Sequence, residues 1–206
     1  MALSRYFATD IYTSSLADRP GWRELRADLE ATIFAMAADD QAGQAWCEAH
    51  GYEGYTSYAS LDDLVRRATC FRRLARLLKT HADAYASALA FDLGGRGLEL
   101  DSLWVNVLAP GGSHSGHIHP NCAISGTVYV VVPEGSSAIR FEDPRLGLMM
   151  AAPPLAPDCP SERRRFVTVQ PRAGDLLLWE SWLRHEVPAN RADADRVSIS
   201  FNFRLR

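Results

Sequence analysis

From Leu98 onward the chain is interrupted every few residues by Gly, Pro or Asp-Pro, and the stretches between are short and strand-like. Leu98 to Leu108, Ala123 to Val132, Ala138 to Glu142, Phe166 to Val169, Asp175 to Trp179 and Arg196 to Arg204 are the candidate strands. Pro133-Glu134-Gly135, Asp143-Pro144 and Gly174 punctuate them. Several short strands joined by such turns cannot build a helical bundle or a parallel α/β sheet; they predict a β-sandwich or jelly roll. In the last run Arg196, Ser198, Ser200 and Asn202 alternate with Val197, Ile199, Phe201 and Phe203. Side chains of a strand point to opposite faces in turn, so one face is polar and the other apolar.

Before Gly94-Gly95 the period is different. Trp22, Leu25, Leu29, Ile33 and Met36 recur at helical spacing, behind a helix start expected at Asp18 with Pro20 in the first turn. A second short helix is expected to run to His50 and stop at Gly51. Ser60, Asp62 and Asp63 mark another start, after which Phe71, Leu74, Leu78, His81, Tyr85 and Leu89 form one face. Tyr6 to Thr13 is a candidate strand, and the Ala- and Pro-rich stretch from Met149 to Pro160 a surface loop. Length and pattern together predict a single domain over 1–206, with 1–94 a helical elaboration and 95–206 the β core.

Composition narrows the function classes. The net charge of -3 leaves no basic footprint for nucleic acid or an anionic membrane. No apolar run approaches the ~20 residues a bilayer span requires, and residues 1–10 are too polar for a signal peptide. Cys47, Cys70, Cys122 and Cys159 show neither zinc-ribbon nor disulfide-framework spacing and are expected to be free thiols in a cytoplasmic protein.

Chemistry concentrates in Pro110 to Pro120, which holds His114, His117 and His119 within six positions behind two glycines. In an extended segment His117 and His119 point to one side, so two imidazoles can chelate one ion. H-x-H alone also occurs by chance on polar loops. His185 adds weight, because it enters a strand after a turn and a buried run, and a jelly roll brings early and late strands together. Arg196 and Ser198 start the polar face of the last strand. A buried Arg requires an anion, and its planar fork matches a carboxylate. His81 is expected to be a packed helix-face residue, and His114 to stand behind the metal ligands or at the surface.

The second half resembles the 2-oxoglutarate/Fe(II) oxygenase superfamily, and most closely an uncharacterised bacterial and phage subgroup. Trp104-Val105-Asn106, His117-Ile118-His119-Pro120, Ser125 to Val130, Phe141 to Arg145, Gly174-Asp175, His185 to Pro188 and Arg196-Val197-Ser198 carry the resemblance, which covers roughly 98–206. It implies a cupin-like double-stranded β-helix flanked by N-terminal helices. It also implies iron ligation by His117 and His185, and anchoring of the distal carboxylate of 2-oxoglutarate by Arg196 and Ser198. Tyr129 and Asn106 would line the cosubstrate pocket. The implied reaction uses Fe(II), 2-oxoglutarate and O2 to hydroxylate a small-molecule or peptidyl substrate. One departure stands out: His119 occupies the position where most of the superfamily has Asp or Glu, giving a metal set of His117, His119 and His185. Glu142 and Glu186 are substitute carboxylates of lower rank. A cupin-type enzyme could use the same three histidines without 2-oxoglutarate, and a non-catalytic metal-binding module stays open as well; the role of Arg196 separates these readings.

Overall fold

A computed structural model describes residues 2–4, 6–145 and 150–206. Eight strands carry the β core: β3 (Leu98–Leu108), β4 (His114–His117), β5 (Ile124–Val131), β6 (Ile139–Glu142), β7 (Phe166–Val169), β8 (Asp175–Glu180), β9 (His185–Val187) and β10 (Arg196–Leu205). They form one sheet in the order β8-β5-β10-β3 and a second in the order β4-β9-β6-β7, with all pairings antiparallel. Consecutive strands from β3 to β6 change sheet at each step, which is the jelly-roll winding of a double-stranded β-helix. Two short strands widen the first sheet: β1 (Tyr12–Ser15) beside β8 and β2 (Gly54–Thr56) beside β3.

The helices are α1 (Trp22–Asp39), α2 (Gln41–Ala49), α3 (Leu64–Arg67) and α4 (Thr69–Ala88). Trp22, Leu25, Leu29 and Ile33 of α1 and Phe71, Leu74, Leu78 and Tyr85 of α4 share one apolar cluster with Val197, Ile199, Phe201 and Phe203 of β10. The helical layer therefore covers the outer face of the larger sheet, and the apolar side of the β10 alternation meets it. A second cluster lies between the sheets, built from Leu108, Tyr129, Leu177 and Trp179 of one and Ile139, Phe141 and Val187 of the other. Gly126 is needed on the outer face. A Cβ there would stand 2.5 Å from the Phe201 ring and 2.6 Å from the Leu177 carbonyl oxygen.

Several boundaries differ from expectation. Strand β1 begins at Tyr12 rather than Tyr6, because pairing with β8 starts at Tyr12 opposite Leu178, leaving Tyr6 and Phe7 exposed. Helix α1 starts at Trp22 behind a left-handed Gly21, and Asp18 and Pro20 lie in the preceding turn without capping it. The single helix expected after Ser60 is two, broken where Ala68 is extended. Residues 150–160 hold no helix or strand, as expected, while Met149 lies outside the described residues. All four cysteines are free thiols. No helix among the described residues is long and apolar enough to cross a membrane.

Because α1, α4 and β10 share one cluster, we expect heating to give one cooperative transition. Phe71→Ala should remove about 3–5 kcal/mol and lower that single transition rather than split it. Calorimetry, with near-ultraviolet circular dichroism following the barrel tryptophans, checks this; two separable transitions would contradict it.

Candidate metal centre

Three imidazoles converge at one end of the space between the sheets. Strands β4 and β9 pair with His117 opposite His185, which brings together residues far apart in the chain. His119 lies two residues beyond β4, where its backbone N–H donates to the Ser181 carbonyl at 3.0 Å. The ring nitrogens available as ligands in His117, His119 and His185 all lie within 4.8 Å of one another, and no other such group of His, Cys, Asp or Glu occurs among the described residues. His119 Nε2 and His185 Nε2 are 3.3 Å apart.

Two of the rings are oriented by backbone carbonyls. Nδ1 of His117 lies 2.7 Å from the Ser115 oxygen, and Nδ1 of His185 lies 2.9 Å from the Leu183 oxygen. A carbonyl only accepts, so both rings carry a proton on Nδ1, which leaves Nε2 as the nitrogen that can face a metal. Aromatic rings fix the rest. Trp179 stands edge-on to His185 at 4.6 Å and Trp104 is tilted against His119 at 5.7 Å. Burial, with His117 nearby, pushes His119 down to about 4 and His185 down to about 3. Both imidazoles are therefore neutral near pH 7, the form that ligates metal.

The expected cosubstrate residues lie on the same inner surface. Arg196 is 2% exposed, and its guanidinium carbon sits 4.8 Å above the Tyr129 ring. No carboxylate pairs with it among the described residues, and its Nε has no hydrogen-bond partner. The Tyr129 hydroxyl and the Trp179 Nε1 are likewise buried without partners. Burial raises Tyr129, opposed by the charge of Arg196, so it remains a phenol. Ser198 is buried on the same face of β10. Asn106 faces inward too, but its amide is engaged: Oδ1 accepts from Thr56 Oγ1 at 2.9 Å and Nδ2 donates to Ser200 Oγ at 3.1 Å.

The substitute carboxylates are accounted for elsewhere. Glu142 accepts from Arg184 at 2.8 Å and Glu186 pairs with Arg140, so neither joins the histidines. Gly174-Asp175 forms a turn. Asp175 Oδ2 accepts from the Arg172 N–H at 2.7 Å, and Gly174 holds φ 96° against the backbone of Ala17. Two sets of contacts were not legible in the sequence. Asn190 joins the loop before β10 to the turn after β3, donating to the carbonyls of Leu108 at 3.1 Å and Ala194 at 3.2 Å. Tyr52, just after α2, reaches His114 Nε2 with its hydroxyl at 2.8 Å. No periodicity marks either; only the Asn after His185 and the Tyr after Gly51 hint at them. A cleft of about 650 Å3 opens beyond Phe141 and Leu183, between residues 4–11 and 152–165, away from the three histidines.

Metal-free protein should lose stability in acid. His114, His119 and His185 titrate lower in the fold than in the unfolded chain, whose imidazoles titrate near 6.5. The unfolded chain takes up protons first as pH falls, so stability present above about 6.5 is lost progressively toward pH 4. Thermal midpoints of metal-free protein should fall over that window, and His185→Gln should flatten the slope. An unchanged slope would show that these rings are not buried neutral.

The chain was compared with known proteins. Residues 102–202 match the family described as "Putative 2OG-Fe(II) oxygenase". A comparison with curated protein sequences gives no match. Among solved structures, the non-heme alpha ketoglutarate dependent epimerase SnoN from nogalamycin biosynthesis is similar at 19% identity, covering 95% of this chain and 76% of that one with a TM-score of 0.63. A Pseudomonas putida prolyl-4-hydroxylase is similar at 16% identity, covering 96% and 94% with a TM-score of 0.61. HygX from Streptomyces hygroscopicus, solved with nickel and 2-oxoglutarate bound, shares 14% identity over 95% and 82% with a TM-score of 0.59. At these identities the structural likeness speaks for the fold, while the sequence match falls on the strands that carry the three histidines and Arg196. Over residues 102–202 the chain is thus similar to the 2OG-Fe(II) oxygenase family, and it shares the fold of these solved structures.

Proposed function

We propose that this chain is an Fe(II)- and 2-oxoglutarate-dependent dioxygenase that hydroxylates a small-molecule or peptidyl substrate. The observation that carries the reading is a set of three converging imidazoles near a buried guanidinium with no carboxylate of its own. A buried, unpaired charge is costly, so the protein gains by binding an anion there. A keto acid with a carboxylate at each end fits such a site, one end toward the histidines and the other toward Arg196.

His117, His119 and His185 would hold the iron. The Ser115 and Leu183 carbonyls keep two of the rings in the ligating tautomer. His119 in place of a carboxylate leaves the full divalent charge of the metal facing the cosubstrate, which favours an anionic chelator. Arg196 and Ser198 would hold the distal carboxylate, with Tyr129 beneath the guanidinium and Asn106 as a braced wall. When bound, iron(II) and 2-oxoglutarate supply oxygen activation: the keto acid gives up carbon dioxide and two electrons to become succinate, and a substrate C–H bond supplies the other two on becoming C–OH. Trp179 and Phe141 pack around His185 and exclude water from that side. On the His119 side, Trp104 stacks edge-on with the exposed Tyr58, and the exposed Trp182 follows Ser181. These rings suit a flat apolar group of the substrate. The cupin-type alternative gives no role to a buried Arg196, while Gly174-Asp175 serves a turn and Asn190 a loop clamp.

Anaerobic loading should give near one equivalent of Fe(II), and His185→Ala should weaken iron binding by at least about tenfold. A charge-assisted hydrogen bond contributes on the order of 1.5–3 kcal/mol. Arg196→Ala should therefore keep iron yet weaken 2-oxoglutarate binding by about tenfold or more and suppress succinate formation. The absorption band of the Fe(II) chelate reports binding directly. Wild-type protein that holds iron but ignores millimolar 2-oxoglutarate would hand the assignment to the cupin-type reading.

A further inference from the structure

Tyr52 carries the helical half into the barrel. Helix α2 ends at His50, Gly51 takes φ 62°, and the Tyr52 N–H donates back to the Cys47 carbonyl at 2.9 Å. That closure turns Tyr52 out of the helical layer and packs it on the cluster between the two sheets. There its hydroxyl meets His114 Nε2 at 2.8 Å, with the rings tilted at 43° and 5.5 Å apart. His114 opens β4 opposite Val187, three residues before His117. The register shifts between these two histidines, so their partners Val187 and His185 are two residues apart, ~7 Å along the strand.

The surroundings of this pair are cationic or neutral. Gly54, two residues after Tyr52, and Arg196 pair with Leu108 from opposite sides, which sets the Tyr52–His114 pair and the Arg196 guanidinium at the same end of the barrel. Arg196 Nε and the Tyr129 hydroxyl lack partners in the same region. Burial first, and then Arg196, pushes His114 down to about 3, while burial raises Tyr52. The pair is a neutral imidazole and a protonated phenol, with one shared hydrogen bond and one further proton to place.

We propose that Tyr52 and His114 complete the anion end of the cosubstrate pocket: His114 Nε2–H donates to the Tyr52 oxygen, and the Tyr52 proton is donated to the distal carboxylate held by Arg196. The inference rests on the cosubstrate reading above and adds two positioning residues to it. It makes the pair a selector for keto acids with a second carboxylate, because a monocarboxylic keto acid leaves the Tyr52 proton and Arg196 unpaired. It also gives the helical elaboration a part in cosubstrate choice.

The test uses the full-length anaerobic Fe(II) protein, titrated separately with 2-oxoglutarate and with 2-oxobutyrate, a keto acid without the far carboxylate. Calorimetry or the chelate absorption band reads each affinity, and the ratio of the two is the result. Tyr52→Phe keeps the ring and removes only the hydroxyl. It should weaken 2-oxoglutarate about tenfold, leave 2-oxobutyrate within about twofold, and leave iron affinity unchanged. His114→Gln should shift the ratio the same way by a smaller factor, and it serves as the readout if Tyr52→Phe is unstable. If both keto acids weaken equally, or neither changes, the pair is only packing and the proposal falls while the cosubstrate reading stands. If wild type holds iron but binds neither keto acid, the cosubstrate reading falls and takes this one with it.

Discussion

Strand β10 is paired along its length with β3 on one side and β5 on the other, and everything else depends on its register. Its even positions, from Arg196 to Asn202, face the space between the sheets; its odd positions, from Val197 to Phe203, face the helices. Each large apolar side chain removed from water there contributes roughly 1.5–3 kcal/mol. A slip of one residue would turn all of them inward and carry Arg196 out into the helical layer. The hydrophobic contact that holds α1 and α4 on the sheet is thus the same constraint that aims the guanidinium at the pocket.

Beside its apolar cluster, the inside of this barrel carries a row of buried polar groups. Its polar groups fall into two kinds. At the Asn202 end they satisfy one another: Ser125 donates to Asn202 at 2.7 Å and lies 2.8 Å from Ser181, and Asn202 donates to Ser102 at 3.0 Å. Toward Arg196 they do not, and Arg196, Tyr129 and Trp179 each leave a buried polar atom unmatched. The guanidinium is partly stabilised by the Tyr129 ring face, an interaction worth about 0.5–2 kcal/mol. A closed network at one end and an open one at the other is what distinguishes scaffold from binding pocket within a single cavity.

Much of this was readable from residues alone, and the reasons are specific. The β10 alternation and the near-continuous apolar run of β3 carry a strong period, so both strands and the inward direction of Arg196 were legible. His117-Ile118-His119 with a distant His185 indicated a shared ion, and the structure brings these three rings together. Strands β2 and β4 were not legible, since Gly54–Thr56 and His114–His117 each hold a glycine and show no alternation of apolar and polar residues. Nor was the engagement of Glu142 by Arg184 and of Glu186 by Arg140, which depends on which strands become neighbours. Tyr52 and Asn190 act across chain separations of 62 and 82 residues, and no local pattern announces such partners.

The pairing of β3 with β10 has a consequence for the order in which the molecule comes into being. Arg196 lies opposite Leu108, and His185 opposite His117, so neither end of the pocket exists until distant segments have met. Folds dominated by such non-local contacts close slowly, because the loops must lose entropy before the contacts reward it. An unfinished chain carrying His117 and His119 has only half a chelate, open to any soft divalent ion it encounters. A metal held by all three imidazoles therefore requires the completed topology, with β9 docked on β4, and could load only after that.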